Sequence, residues 1–364
     1  MEISDTGAWL LYGGLVFGLA FGFVLQRSRF CLLSALSNFL MFRDWRQAHA
    51  WMIAIAVAVA GVTYLEFAGL VDVAQSSFRQ TAVSVGGSLL GGLVFGIGAV
   101  LAGGCASRTL IRVSEGNFGS LIALACFGVA GMVTLFGVFA PARDYLVSHS
   151  QLDVFAGELS IPAVLGQSPT LVAGLLVASL LASVFLTGRA FRDWRLLAAG
   201  AFIGLLVMLG WWYTGYLLLD EFEPHAPFTV SVSGPLARTT LWLTTDTLTA
   251  SWFGITLVFG MLAGGLVSAV TSRTWHWVVP DAVHVPHLIF GGSLMGVGAV
   301  FAGGCNVGQG LAGMSTLSCS SLVALISILL GMRLGLLLIN LDELHRDKQR
   351  PAVARQQQTT LPTN

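Results

Sequence analysis

Apolar residues run through this chain in blocks of helix length, separated by short polar segments, and neither alternate nor trace one narrow stripe. A membrane crossing needs about 20 mostly apolar residues. On that criterion the sequence predicts spans near 8–25, 48–70, 82–102, 119–140, 169–187, 196–217, 248–270, 286–302 and 319–340, nine in all. The first block, AWLLYGGLVFGLAFGFVL, carries its positive charges after the apolar stretch and has no small-residue cleavage pattern. It therefore reads as a retained helix and not as a signal peptide.

Composition supports that class. The 364 residues are 55% hydrophobic and 10% charged, with a mean hydropathy of +0.80, whereas soluble domains carry about 25% charged residues. Eighteen basic and eighteen acidic residues give a net charge of zero, which argues against nucleic acid as a partner. The loop charges set an orientation. Arg27, Arg29, Arg43 and Arg46 follow the first span, and Arg189, Arg192 and Arg195 fill the tight loop 188–195. Arg346, Lys348, Arg350 and Arg355 follow the last span, whereas 141–168 and 218–247 are acid-rich. Basic loops stay cytoplasmic, so the N-terminus is expected outside (periplasmic) and the C-terminus in the cytoplasm.

The strongest signal is a repeat. GGLVFGIGAVLAGGC at 91–105 and GGSLMGVGAVFAGGC at 291–305 agree at ten of fifteen positions. They fall on the third and eighth predicted spans, an odd offset, so the two copies should cross the membrane in opposite directions. The expected fold is an all-α polytopic membrane protein with an inverted-topology repeat. One half occupies 1–140, a linker loop and fifth span 141–195, the second half 196–340, and a cytoplasmic tail 341–364. Such repeats place their site at the interface between the halves, near the midplane.

After Cys105 the chain continues as ASRTLIRVSEGN, after Cys305 as NVGQGLAGMSTLS and after Cys31 as LLSALSNFLMF, each too short to span. Each reads as a short re-entrant helix whose N-terminus points at a thiol. Irregular backbone at membrane depth is tolerated only where it is buried or lines a watery cavity. Gly103, Gly104, Gly303 and Gly304 permit the turns and leave backbone N–H groups accessible. Helix N-termini favour anions. A thiol buried among apolar groups stays neutral and adds a weak donor with a polarisable surface. Weak neutral donors suit a solute that must also leave. Repeated sulfur donors suggest a soft anion such as thiosulfate, or a selenium analogue.

The second-half twin of Cys31 is Ser231 or Ser233, with Ser233 preferred. Arg108, beside Cys105, either pairs structurally or concentrates anions. Cys126 reads as core and Cys319 as a helix-end residue. The cysteine spacing fits neither a disulfide framework nor a zinc site, so no metal and no cofactor is expected. Two oppositely oriented copies are expected to bring the thiols face to face along a narrow path. A passive channel and an intramembrane sulfurtransferase are the competing readings.

GFVLQRSRFCL, GGLVFGIGAVLAGGCASRTL and its second copy closely resemble the YeeE/YedE family of bacterial inner-membrane sulfur-compound transporters, over most of the chain. The resemblance implies nine spans with re-entrant helices, an hourglass shape and uptake of thiosulfate. It implies that Cys31, Cys105 and Cys305 contact the solute at the constriction, and that a small sulfur-carrier protein of the TusA type works on the cytoplasmic side.

Overall fold

The computed structural model describes residues 5–79, 85–149, 160–187, 193–218, 226–245 and 252–359, with side chains left out at 5–7, 147 and 342–359. Arg189, Arg192 and most acids of the two acid-rich loops lie outside the described residues, as do the side chains of the basic tail.

The first half contains α1 (Asp5–Ser28), the short α2 (Leu32–Phe42), α3 (Arg46–Phe67), α4 (Val85–Leu101), the short α5 (Ala106–Ser114) and α6 (Phe118–Phe136). Two small helices, α7 (Ala140–His149) and α8 (Ile161–Leu165), lead to α9 (Pro169–Leu186). The second half contains α10 (Trp194–Trp212), α11 (Ser233–Thr245), α12 (Trp252–Thr271) and α13 (Val285–Phe301). It ends with a ten-residue half-helix at 306–315, π-helical in its middle, and α14 (Cys319–Thr359). Among the described residues, eight helical segments are long and apolar enough to cross a membrane, and α13, at 17 residues, is a shorter apolar ninth. Its first-half counterpart α4 is also 17 residues long. The short α2 and α5 continue the segments begun by α1 and α4, so neither is a crossing of its own.

Close approaches at glycine fix the direction of each helix. Gly14, Gly18 and Gly22 of α1 meet Phe253, Leu257 and Met261 of α12 in rising order, so α1 and α12 are parallel. Gly200 and Gly204 of α10 meet Ala50 and Ala54 of α3, again parallel. Gly92 and Gly96 of α4 approach Ala324 and Ile328 of α14, and Gly292 and Gly296 of α13 approach Ala123 and Phe127 of α6, also parallel. At the centre, α4 and α13 run antiparallel: Gly91 faces Gly298 and Ala302, while Gly98 faces Gly291 and Met295. Strict alternation of nine crossings satisfies all five relations, and omitting α9 would break the α3–α10 pair. The fold is thus an all-α bundle in which each half exchanges its packing partners with the other, related by inversion.

Small residues drive this packing because lipid offers no hydrophobic gain for bringing helices together. A Cβ on Gly98 would stand 2.6 Å from Met295 N, and one on Gly291 would stand 2.5 Å from Ala102 N. By contrast, a Cβ on Gly174 of α9 would meet nothing within 4 Å. Gly98→Val and Gly291→Val are each expected to destabilise the detergent-solubilised protein by about 1–3 kcal/mol or more. Gly174→Val should leave its thermal unfolding nearly unchanged. Equal melting shifts at the three positions would contradict the seam.

Candidate functional site

The site grows from how α4 and α13 end. Gly103 (φ 71°) and Gly303 (φ 68°) adopt the left-handed conformation that a side chain disfavours. Gly104 N–H donates to Ala99 O at 2.9 Å and Gly304 N–H to Ala299 O at 2.8 Å, with Gly103 and Gly303 donating to Val100 O and Val300 O. This double return bond closes a helix and lets the next one start on a new axis. Both copies of the sequence repeat therefore make one turn, and the thiol follows it.

Cys105 then stands at the N-cap of α5 and Cys31 at the N-cap of α2, neither with a side-chain cap bond. The first helical bonds are Ala35 N–H to Cys31 O, Thr109 N–H to Cys105 O, Leu236 N–H to Val232 O and Gln309 N–H to Cys305 O. The amides before them, at 32–34, 106–108, 233–234 and 306–308, have no carbonyl partner within their own helix. Four half-helix N-termini are built in this way, two in each half of the chain.

The contacts among these N-termini form two pairs. Cys31 Sγ and Cys105 Sγ lie 3.4 Å apart, with Ser107 Oγ 3.4 Å from Cys105 Sγ. In the second half, Cys305 N–H donates to Ser233 Oγ at 3.0 Å. The structure thus joins Ser233 to the second turn, while Ser231 lies instead against Gly308. Cys31 and Cys105 touch through their sulfurs, and Cys305 is joined to the serine of its own half through its backbone N–H. Cys31, Cys105 and Cys305 are 1%, 0% and 0% exposed, so none of them faces lipid. Cys126 and Cys319 are half-buried and lie outside this group.

The two turns are braced by different side chains at matching positions. Thr109 Oγ1 donates to Gly104 O at 3.3 Å, and Arg112 Nη1 donates to Gly103 O at 3.1 Å. In the second copy Gln309 Nε2 donates to Ala302 O at 2.8 Å while its Oε1 accepts from Ser321 at 2.6 Å. Arg108 turns to Glu115, Nη1 to Oε1 at 3.3 Å, both side chains 17% exposed. Glu115 also accepts from Gln26, whose amide accepts from Ser268 and donates to Thr274. Arg108 is thus half of an ion pair in a network tying α1, α5 and α12 together.

Two cavities indent the bundle. One of about 410 Å³ is lined by Ser233, Arg238, Gly303, Gly304 and Phe253, near the start of α12. Another of about 650 Å³ is lined by Arg27, Asn38, Asp44, Arg46 and Asp193, at the end of α1. Because α1 and α12 are parallel, these two cavities belong to opposite membrane faces. At the second, Arg46 bridges Asp44 and Asp193, and the Asp44 carboxyl is held below the usual carboxylate range chiefly by its hydrogen bond to Arg46.

Buried half-helix N-termini in an inverted bundle of apolar helices define a polytopic membrane protein of the transporter class. The chain matches the family described as Sulphur transport over residues 27–334, and it belongs to that family. It is 30% identical over 347 residues to the thiosulfate transporter TsuA of Escherichia coli, covering 89% of this chain and 93% of the relative. It is 29% identical over 334 residues to the thiosulfate transporter TsuA of Spirochaeta thermophila, covering 88% and 97%. A probable transporter, YedE of Escherichia coli, matches at 32% over 104 residues, 28% of this chain.

The Arg108–Glu115 pair yields a test of its structural role. In thermal unfolding, Arg108→Ala and Glu115→Gln are expected to be coupled by about 0.5–3 kcal/mol, the range for residues in one network. Additive effects would mean that Arg108 acts independently of Glu115.

Proposed function

We propose that this chain imports thiosulfate across the bacterial inner membrane, with Cys31, Cys105 and Cys305 as successive donors along the path. The observation carrying this reading is the 3.4 Å contact between two buried thiols at the N-termini of two half-helices. Family membership and the two thiosulfate transporters that the chain resembles over most of its length support the choice of solute.

At membrane depth an anion loses its water, so donors must replace it, yet a fixed cation there would hold it too tightly to leave. Half-helix N-termini supply partial positive charge and unpaired N–H groups. Protonated thiols donate to the terminal sulfur without adding charge, and their polarisability suits a soft partner. Gly103, Gly104, Gly303 and Gly304 keep the backbone at the turns open to the solute. Ser233 completes the second station as Cys31 completes the first. Arg108, paired to Glu115, raises the local anion concentration without sitting on the path.

The thiols act as contacts and not as nucleophiles, so the protein is read as a transporter and not an enzyme. The face bearing Arg27, Arg46 and Arg195 is read as cytoplasmic, which places the N-terminus in the periplasm and the C-terminus in the cytoplasm. A TusA-type sulfur carrier would collect the product on the cytoplasmic face.

The test is uptake of radiolabelled thiosulfate by a thiosulfate-dependent strain expressing wild type, Cys31→Ala, Cys105→Ala, Cys305→Ala or Ser233→Ala. Losing one hydrogen bond to a charged group, about 1.5–3 kcal/mol, should slow uptake roughly ten- to hundredfold. Uptake at the wild-type rate by all three cysteine variants would refute the relay. A wild type that fails to take up thiosulfate would refute the solute.

A further inference from the structure

Asn306 follows Cys305 directly and opens the 306–315 half-helix. Its side chain is 0% exposed, yet among the described residues neither Nδ2 nor Oδ1 has a hydrogen-bond partner. The indole Nε1 of Trp51 is in the same condition, on a residue 3% exposed. Native proteins pair nearly all buried polar atoms, and an orphan bears its full desolvation cost. Three such atoms on two residues therefore call for a partner.

Both residues adjoin the thiol stations. Trp51 stacks on Phe30, ring centroids 4.6 Å apart, and Phe30 immediately precedes Cys31. The same indole approaches the half-helix of Asn306, with its ring edge 3.5 Å from where a Cβ on Gly310 would stand. Gly310 lies four residues beyond Asn306, about one turn along that helix. Trp51 therefore lies between the turn that presents Cys31 and the helix that begins at Asn306. In the repeat register the first-half counterpart of Asn306 is Ala106, so the amide is an addition of one half only.

We propose that Asn306 and Trp51 bind the oxygen end of the permeating oxyanion. Asn306 Nδ2–H and Trp51 Nε1–H donate to solute oxygens, while Asn306 Oδ1 accepts from a thiol S–H or a water travelling with the solute. The waist then reads both ends of its cargo: sulfur donors in the first half take the soft terminus, and nitrogen donors take the oxygens. This rests on the reading of the protein as a thiosulfate carrier.

The experiment uses full-length protein in nanodiscs, titrated with thiosulfate by calorimetry and melted with and without it. Wild type should bind thiosulfate and gain a thermal shift. Asn306→Ala and Trp51→Phe should each weaken binding about tenfold and shrink that shift, and Asn306→Asp should weaken it further through like charge. Without solute, Asn306→Ala should melt at or above the wild-type temperature, since it removes an unpaired buried group. Wild-type affinity in both Asn306→Ala and Trp51→Phe overturns the proposal. So does a lower solute-free melting temperature with an undiminished shift, which marks Asn306 as structural. If wild type itself neither binds nor shifts with thiosulfate, the carrier reading falls and takes this proposal with it.

Discussion

A backbone N–H inside a bilayer has no water to bond, so a helix that begins there leaves donors that must be buried against something polar. Among the described residues, four helices begin in that way, after Cys31, Cys105, Val232 and Cys305. Much of the remaining structure follows from that constraint. The exposed amides must be kept from lipid, which requires a wall of complete spans around them. The helix must also break at membrane depth, and the left-handed glycines at 103 and 303 make that break. These N-termini bring together uncharged thiol, hydroxyl and amide groups, while Arg238 lines the cavity beside Ser233 and Gly303.

The wall is held by backbone proximity. Along α4 and α13, glycines bring the two helices so close that a single added methyl at Gly98 would press on Met295 N at 2.6 Å. Packing this tight belongs to the repeat itself, because the same glycines serve both copies in opposite directions. The exchange of partners, α1 with α12 and α3 with α10, binds each half to the other at more than the central seam.

Much of this was legible in the chain. The spans could be read because helix-length apolar blocks leave little ambiguity, and the observed Arg46–Phe67 and Val285–Phe301 fall within a few residues of 48–70 and 286–302. The inversion was readable because fifteen residues are nearly repeated at an odd offset. Other features were readable only in part or not at all. The Cys31–Cys105 contact joins residues 74 apart in the chain, and nothing local encodes it. The sequence favoured Ser233 over Ser231, but the bond from Cys305 N–H to the Ser233 hydroxyl is visible only in the fold. The orphaned amide of Asn306 left only a faint mark, an asparagine where the other copy has alanine, because burial without a partner is a property of the folded surroundings. Small helices such as Ala140–His149 also escaped notice, since their length and mixed polarity resemble an ordinary loop.

The central claim is that converging half-helix termini and uncharged thiols form the place where the anion rests during passage. A structure of the full-length protein determined with thiosulfate bound in a lipid nanodisc tests it most directly. The account predicts solute density at the waist, within hydrogen-bond reach of the Cys31–Cys105 pair or of the Cys305–Ser233 turn and their adjoining amides. Density confined to the outer cavities, or to the crevices between helices and lipid, would contradict it.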